Sequence, residues 1–149
     1  DAGPIGYVEE GVVRLVRNWP SAPVSYAPEA IEKIVNLAVW PWVEIVMNYT
    51  GARGAIVKAL MNQPQNSSAS GDEPVLKGLG VAATGNGTVH QDLEKALLEA
   101  KHSGVAVVRA TRCPMGRVIS PPDARFPDSG GLSPVKARIA LMLTLAVHS

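Results

Sequence analysis

Residues 75–108 read VLKGLGVAATGNGTVHQDLEKALLEAKHSGVAVV, and their pattern decides the fold class. Val75 to Ala83 is apolar and β-prone, although Gly78 and Gly80 weaken it as an isolated strand. Thr84-Gly85-Asn86-Gly87-Thr88 interrupts the run with residues that favour turns. Val89, Leu93, Ala96, Leu97 and Ala100 then recur at helical spacing and make one apolar stripe. Thr88 is placed to cap this helix, with Gln91 completing a capping box. Gly104 is placed to take the left-handed conformation just past its end. Val105 to Val108 is almost continuously apolar, as expected of a strand covered on both faces. Strand, helix and strand in so short a stretch make a right-handed parallel crossover.

The same alternation extends outward. Upstream, Val43 to Met47 is a strand candidate closed by Asn48-Tyr49-Thr50-Gly51. Ala55, Ile56, Ala59 and Leu60 follow as one helix face, and the polar stretch from Asn62 to Glu73 is a surface loop. Downstream, a Pro/Gly-rich loop from Cys113 to Gly131 leads to a last helix, with Ser133 as N-cap and Pro134 as first residue. Beyond Ile139 this helix is apolar almost all round, which calls for burial in the core or in a partner. Near the start, two β-prone runs flank Glu10-Gly11 and predict a hairpin. Asn18 to Pro28 is a proline-rich linker, and Ile31, Ile34, Val35 and Ala38 predict a short helix ended by Trp40-Pro41-Trp42. The sum is an α/β fold. Residues 42–149 form a three-layer domain with a short, mainly parallel sheet and flanking helices, and residues 1–41 a hairpin and interdomain linker.

Composition narrows the function classes. The 149 residues are 46% hydrophobic, with 14 basic against 13 acidic side chains. That excludes a disordered chain and gives no electrostatic reason to expect nucleic acid. Cys113 stands alone, so no internal disulfide forms, and no Cys/His set has zinc spacing. The longest apolar run, Ile139 to Val147, is far short of the roughly 20 residues a membrane span needs. Asp1-Ala2-Gly3-Pro4 has no leader pattern and reads as the interior of a longer protein.

Ligands of open parallel sheets bind beyond the carboxyl ends of the strands. Three loops should leave that edge here: Asn48-Tyr49-Thr50, residues 84–88, and the segment from Thr111 to Asp123. Asn86 offers a donor and an acceptor beside a helix start, or is simply part of a turn. Asp123 follows Pro121-Pro122, which makes it a fixed carboxylate or a solvated loop residue. Arg109 and Arg112 can bind anions or brace the long loop. Cys113 has no evident activating base, with His90 and His102 on the helix, and is expected to be a buried or half-buried thiol. His148 reads as a cation near a helix C-terminus. The dinucleotide and phosphate-loop glycine spacings are absent.

Gly3-Pro4-Ile5-Gly6-Tyr7, Ile45-Val46-Met47-Asn48-Tyr49, Gly78 to Thr88, Val107-Val108-Arg109-Ala110-Thr111-Arg112 and Leu132-Ser133-Pro134-Val135-Lys136-Ala137-Arg138 occur in an order that resembles bacterial L-asparaginases. The resemblance is to the C-terminal half of the homotetrameric asparaginase/glutaminase family. Ile31 to Ala38 and the insertion-like loop 62–73 fit poorly, and the family's final helix is missing. The resemblance implies hydrolysis of the side-chain amide of L-asparagine, with L-glutamine possible, and no metal or organic cofactor. It implies a homo-oligomer, in the family a tetramer, with no nucleic acid or membrane partner. The compartment is periplasmic or secreted by the nearer pattern, with a cytoplasmic form also open. The family's nucleophilic threonine and its assisting groups belong to an N-terminal domain. This chain has neither a Thr-Gly-Gly-Thr nor a Gly-Thr-Asp segment, so no catalytic residue is expected in it. What remains is substrate binding for a neighbouring subunit. Asn86 matches the family's Gly-Asn-Gly asparagine. Asp123 stands where the family has a glutamate that pairs with the substrate's α-ammonium, one methylene shorter. The competing reading is a noncatalytic domain that binds or senses an amino acid at the same edge.

Overall fold

A parallel strand has to be covered on both faces, and the order of elements supplies a cover for each. The computed structural model describes residues 6–15, 27–63, 75–114, 116 and 118–148. Most of the expected linker and most of the polar loop after Asn62 therefore lie outside the described residues. The chain runs β1 (Gly6–Glu9), β2 (Val12–Leu15), α1 (Pro28–Val35), β3 (Trp42–Met47) and α2 (Ala55–Met61). It continues through β4 (Leu76–Ala83), α3 (Gln91–His102), β5 (Ala106–Thr111) and α4 (Pro134–His148). β1 and β2 pair antiparallel around Glu10 and Gly11, whose φ values of 50° and 78° fit a two-residue turn of matching twist. β3, β4 and β5 form a parallel sheet in that order, with β4 in the centre. The α/β class expected from the sequence is the one observed.

The two faces of β4 are built differently. Leu79, Val81 and Ala83 point into a cluster with Val46, Val57, Leu93, Ala96, Leu97, Ala100 and Val107, roofed by α2 and α3. Leu79, Leu93 and Leu97 are fully buried, each contributing about 1.5–3 kcal/mol of transfer free energy. The opposite face carries Gly78 and Gly80, and α4 crosses it. A Cβ on Gly78 would lie 2.9 Å from Leu141 Cδ2 and 3.2 Å from Leu145 Cδ1. Gly78, one of the two glycines that weaken β4 as a strand in isolation, is what lets α4 lie against its backbone. Arg138 Nε then ties α4 to β3 by donating to the Val43 carbonyl at 2.7 Å.

Several local expectations are corrected. The cap of α3 is His90, whose Nδ1 accepts from the Asp92 N–H at 3.2 Å, so no Thr88–Gln91 capping box forms. Thr88 is unavailable because its N–H and C=O both pair with Thr84 across the preceding turn. On α2 the buried positions are Val57 and, in part, Leu60 and Met61, whereas Ala55, Ile56 and Ala59 are exposed. So short a helix leaves the phase of an apolar stripe ambiguous by one residue. α1 ends at Val35 with Asn36 as its C-cap, so Ala38 is outside it, and it packs on α4 without burying any residue fully. In α4 only Ala137 and Ala146 are buried, while Val135 is 65% exposed. Its apolar girdle is thus only partly covered within this chain. No helix of the described residues is long and apolar enough to cross a membrane.

Gly54, the N-cap of α2, has a φ of 71°, and a Cβ there would meet Ala96 Cβ at 2.5 Å. Gly80 has no such neighbour, the nearest atom to its Cβ position being the Glu44 carbonyl oxygen at 3.7 Å. Gly54→Ala should cost about 3 kcal/mol, from the left-handed backbone and the overpacked helix contact together. Gly80→Ala should change stability by less than about 1 kcal/mol. Chemical denaturation of the two variants side by side checks both values.

Candidate functional site

The hydrogen-bond ladder of the sheet continues past its carboxyl edge and organises the loops there. The Asn48 N–H donates to the Ala82 carbonyl at 3.0 Å, and the Arg112 N–H to the Ala83 carbonyl at 3.0 Å. Between them, residues 84–88 close on themselves, with Thr84 N–H to Thr88 C=O at 3.3 Å and Thr88 N–H to Thr84 C=O at 2.9 Å. Gly87 takes a φ of 77° and packs against Val118, where a Cβ would meet Val118 Cγ1 at 2.8 Å. The turn therefore rests directly on the loop that follows β5.

Three side chains lock this arrangement. Asn48 is 4% exposed, and its amide reaches both ends of the turn. Its Nδ2 donates to the Thr88 carbonyl at 3.1 Å and to Thr84 Oγ1 at 3.4 Å, and its Oδ1 accepts from the His90 N–H at 2.8 Å. Asn86 is exposed at the apex, yet its side chain is engaged. Its Oδ1 accepts from the Ile119 N–H at 2.6 Å and its Nδ2 donates to the Ile119 carbonyl at 3.2 Å, so the amide pairs like a short strand. Half-buried Arg109 donates to the Gly87 carbonyl at 3.3 Å and to Ser120 Oγ at 3.0 Å. Arg112 donates to the Asn48 carbonyl at 3.2 Å. Of the two readings open for these arginines, bracing is what their described contacts do.

Asp123 is exposed, just inside the turn closed by the Ala124 N–H and the Pro121 carbonyl at 3.0 Å, and makes no side-chain hydrogen bond or ion pair among the described residues. Cys113 is exposed, which corrects the expected buried or half-buried thiol. Its N–H donates to Thr111 Oγ1 at 3.1 Å, so the hydroxyl rather than the thiol is the buried group. No hydroxyl or thiol on these loops is hydrogen-bonded to a histidine, lysine or carboxylate among the described residues. Nor is there a metal-ligating group of three or more there. The described residues of these loops assemble no activated nucleophile. Sequence reasoning missed Asn48 as the hub. Its only signal was an amide directly after an apolar strand, where a buried polar group needs every partner satisfied.

Residues 42–149 match the family described as Glutaminase/Asparaginase C-terminal domain. The chain belongs to that family. The relatives include L-asparaginase 2 of Escherichia coli, 32% identical over 96% of this chain and 38% of that protein. A probable periplasmic L-asparaginase of Haemophilus influenzae is 31% identical over 96% of this chain and 38% of its own length. A probable cytoplasmic L-asparaginase of Campylobacter jejuni, a solved structure, superposes with a TM-score of 0.67 at 27% identity, over 95% of this chain and 42% of the other. The chain thus spans about two fifths of the length of these relatives, whose names include both a periplasmic and a cytoplasmic protein.

The brace has a measurable consequence in this asparaginase-family domain. Arg109→Lys keeps the charge but loses the fork that spans Gly87 and Ser120. Thermolysin, which cuts beside aliphatic residues such as Val118 and Ile119, should cleave that loop about tenfold faster in the variant, the equivalent of roughly 1.4 kcal/mol of local opening.

Proposed function

We propose that this chain is the substrate-binding half of an L-asparaginase-type amidohydrolase. The whole protein converts L-asparagine and water to L-aspartate and ammonia, with L-glutamine as the second candidate substrate. Residues 42–149 are the C-terminal domain and residues 1–41 the connection to an N-terminal domain that carries the nucleophilic threonine. In a homotetramer the domain completes the site of a neighbouring subunit. The observation that carries this reading is the convergence of all three strand-end loops into one braced edge within an asparaginase-family domain.

The roles follow from what each group has left to offer. Asp123 is exposed and unpaired among the described residues, so its carboxylate is open to a charge-assisted hydrogen bond from an α-ammonium group. Asn86 gives one bond of its Oδ1 and one of its Nδ2 to Ile119 and keeps a second lone pair and a second N–H for substrate. Neither group makes or breaks a covalent bond, and no cofactor is invoked.

Ammonia release from L-asparagine, measured side by side on this chain and on the full-length protein, tests the reading. Activity is expected only in the full-length protein. Turnover by the isolated chain would place a nucleophile among these residues and overturn the mechanism. Silence from both would favour the noncatalytic amino-acid-binding domain. In the full-length enzyme, Asp123→Ala should raise KM about tenfold or more, the loss of a bond to a charged group, with a melting temperature close to that of the parent.

A further inference from the structure

The proposed roles of Asn86 and Asp123 leave unexplained a group that touches neither. Asn48 and Thr111 are the buried polar side chains among the described residues, and Asn48 sits one residue past β3. Two of its three side-chain hydrogen bonds go to the two ends of one turn, the hydroxyl of Thr84 and the carbonyl of Thr88, and the third comes from the His90 N–H at the start of α3. A buried amide in a plain packing role has no reason to gather both ends of a five-residue loop. Thr84 and Thr88 bracket Asn86 symmetrically, so closing their ends fixes where the apex stands. From the apex, the pair of bonds between Asn86 and Ile119 carries that position into the loop leading to Asp123. Arg112 closes the circuit by holding the main-chain carbonyl of Asn48 itself.

We propose that Asn48 is a positioning residue for substrate binding: it sets the turn that presents Asn86 and, through Ile119, the loop that carries Asp123. This rests on the functional reading above, and the test separates the two. Asn48→Asp keeps the size and the acceptor for the His90 N–H but replaces the donor facing the Thr88 carbonyl with an acceptor.

Amide hydrogen exchange on the 149-residue chain reads the positioning without any turnover. In Asn48→Asp the Ile119 N–H should exchange about tenfold faster, while the Val81 and Leu97 amides of the core stay within about twofold of the parent. An unchanged Ile119, or an equal acceleration of all three amides, overturns the proposal, the latter because it marks general loss of stability. Should Asn48→Asp not fold, Thr84→Val removes the hydroxyl that accepts from Asn48 at 3.4 Å and itself donates to the Thr88 carbonyl at 3.4 Å, and is read the same way, with about a threefold effect expected at Ile119. In the full-length enzyme, Asn48→Asp should raise KM for L-asparagine about tenfold with kcat within about threefold. An unchanged KM also overturns it. A parent enzyme that releases no ammonia fails the functional reading alone, and the exchange experiment still decides the role of Asn48.

Discussion

The missing side chain at Gly78, on one face of β4, is the constraint on which the rest of the molecule depends. With Gly78 there, α4 comes within contact of the central strand, and the sheet is closed on that side by a single helix. The other face can then be given over to larger side chains, and Leu79 and Val81 meet α2 and α3. Because both covers are rigid helices, the carboxyl ends of β3, β4 and β5 are held at one level. The loops leaving them therefore start from one edge, where Asn48, Asn86 and Arg109 lock them together.

At that edge the energetics change from apolar burial to paired polar groups, although Arg109 Nε is buried without a partner among the described residues. A typical hydrogen bond contributes only about 1 kcal/mol net, but a buried partner left unpaired costs about 1–3 kcal/mol. Asn48, Asn86 and Arg109 each make bonds to more than one point, so release of any one of them strands several groups together. The edge should therefore behave as one unit. This is a way to build a stable surface from residues that are individually unremarkable in the sequence.

Much of the fold was legible in advance because its signals were long or doubled. The stripe from Val89 to Ala100, followed by Gly104 at a φ of 88°, marked α3 by both its periodicity and its end. The hairpin turn and the parallel order of the sheet followed from equally local patterns. Where signals were short or contested, the reading slipped. α2 has only seven residues, too few to fix which side faces inward. Thr88 is a good capping residue taken instead by a turn closure that depends on Thr84. Of the site, the meeting of three loops was readable from topology, and the alternatives for Arg109 and Arg112 were visible without being decidable. Asn48 was not readable as a hub, because its partners lie about 40 residues further along the chain.

The clamps at this edge share one property with a longer reach. Asn86 grips the main-chain N–H and carbonyl of Ile119, Arg109 grips the carbonyl of Gly87, and Arg112 that of Asn48. Backbone atoms are the same whatever side chain hangs from them. Position 119 is therefore free to change its side chain while its peptide stays gripped, whereas Ser120 is tied through its own hydroxyl to Arg109 and Val118 through its packing on Gly87. Side-chain identity is thus free where a clamp holds main chain and constrained where it holds a hydroxyl or packs on a methyl group.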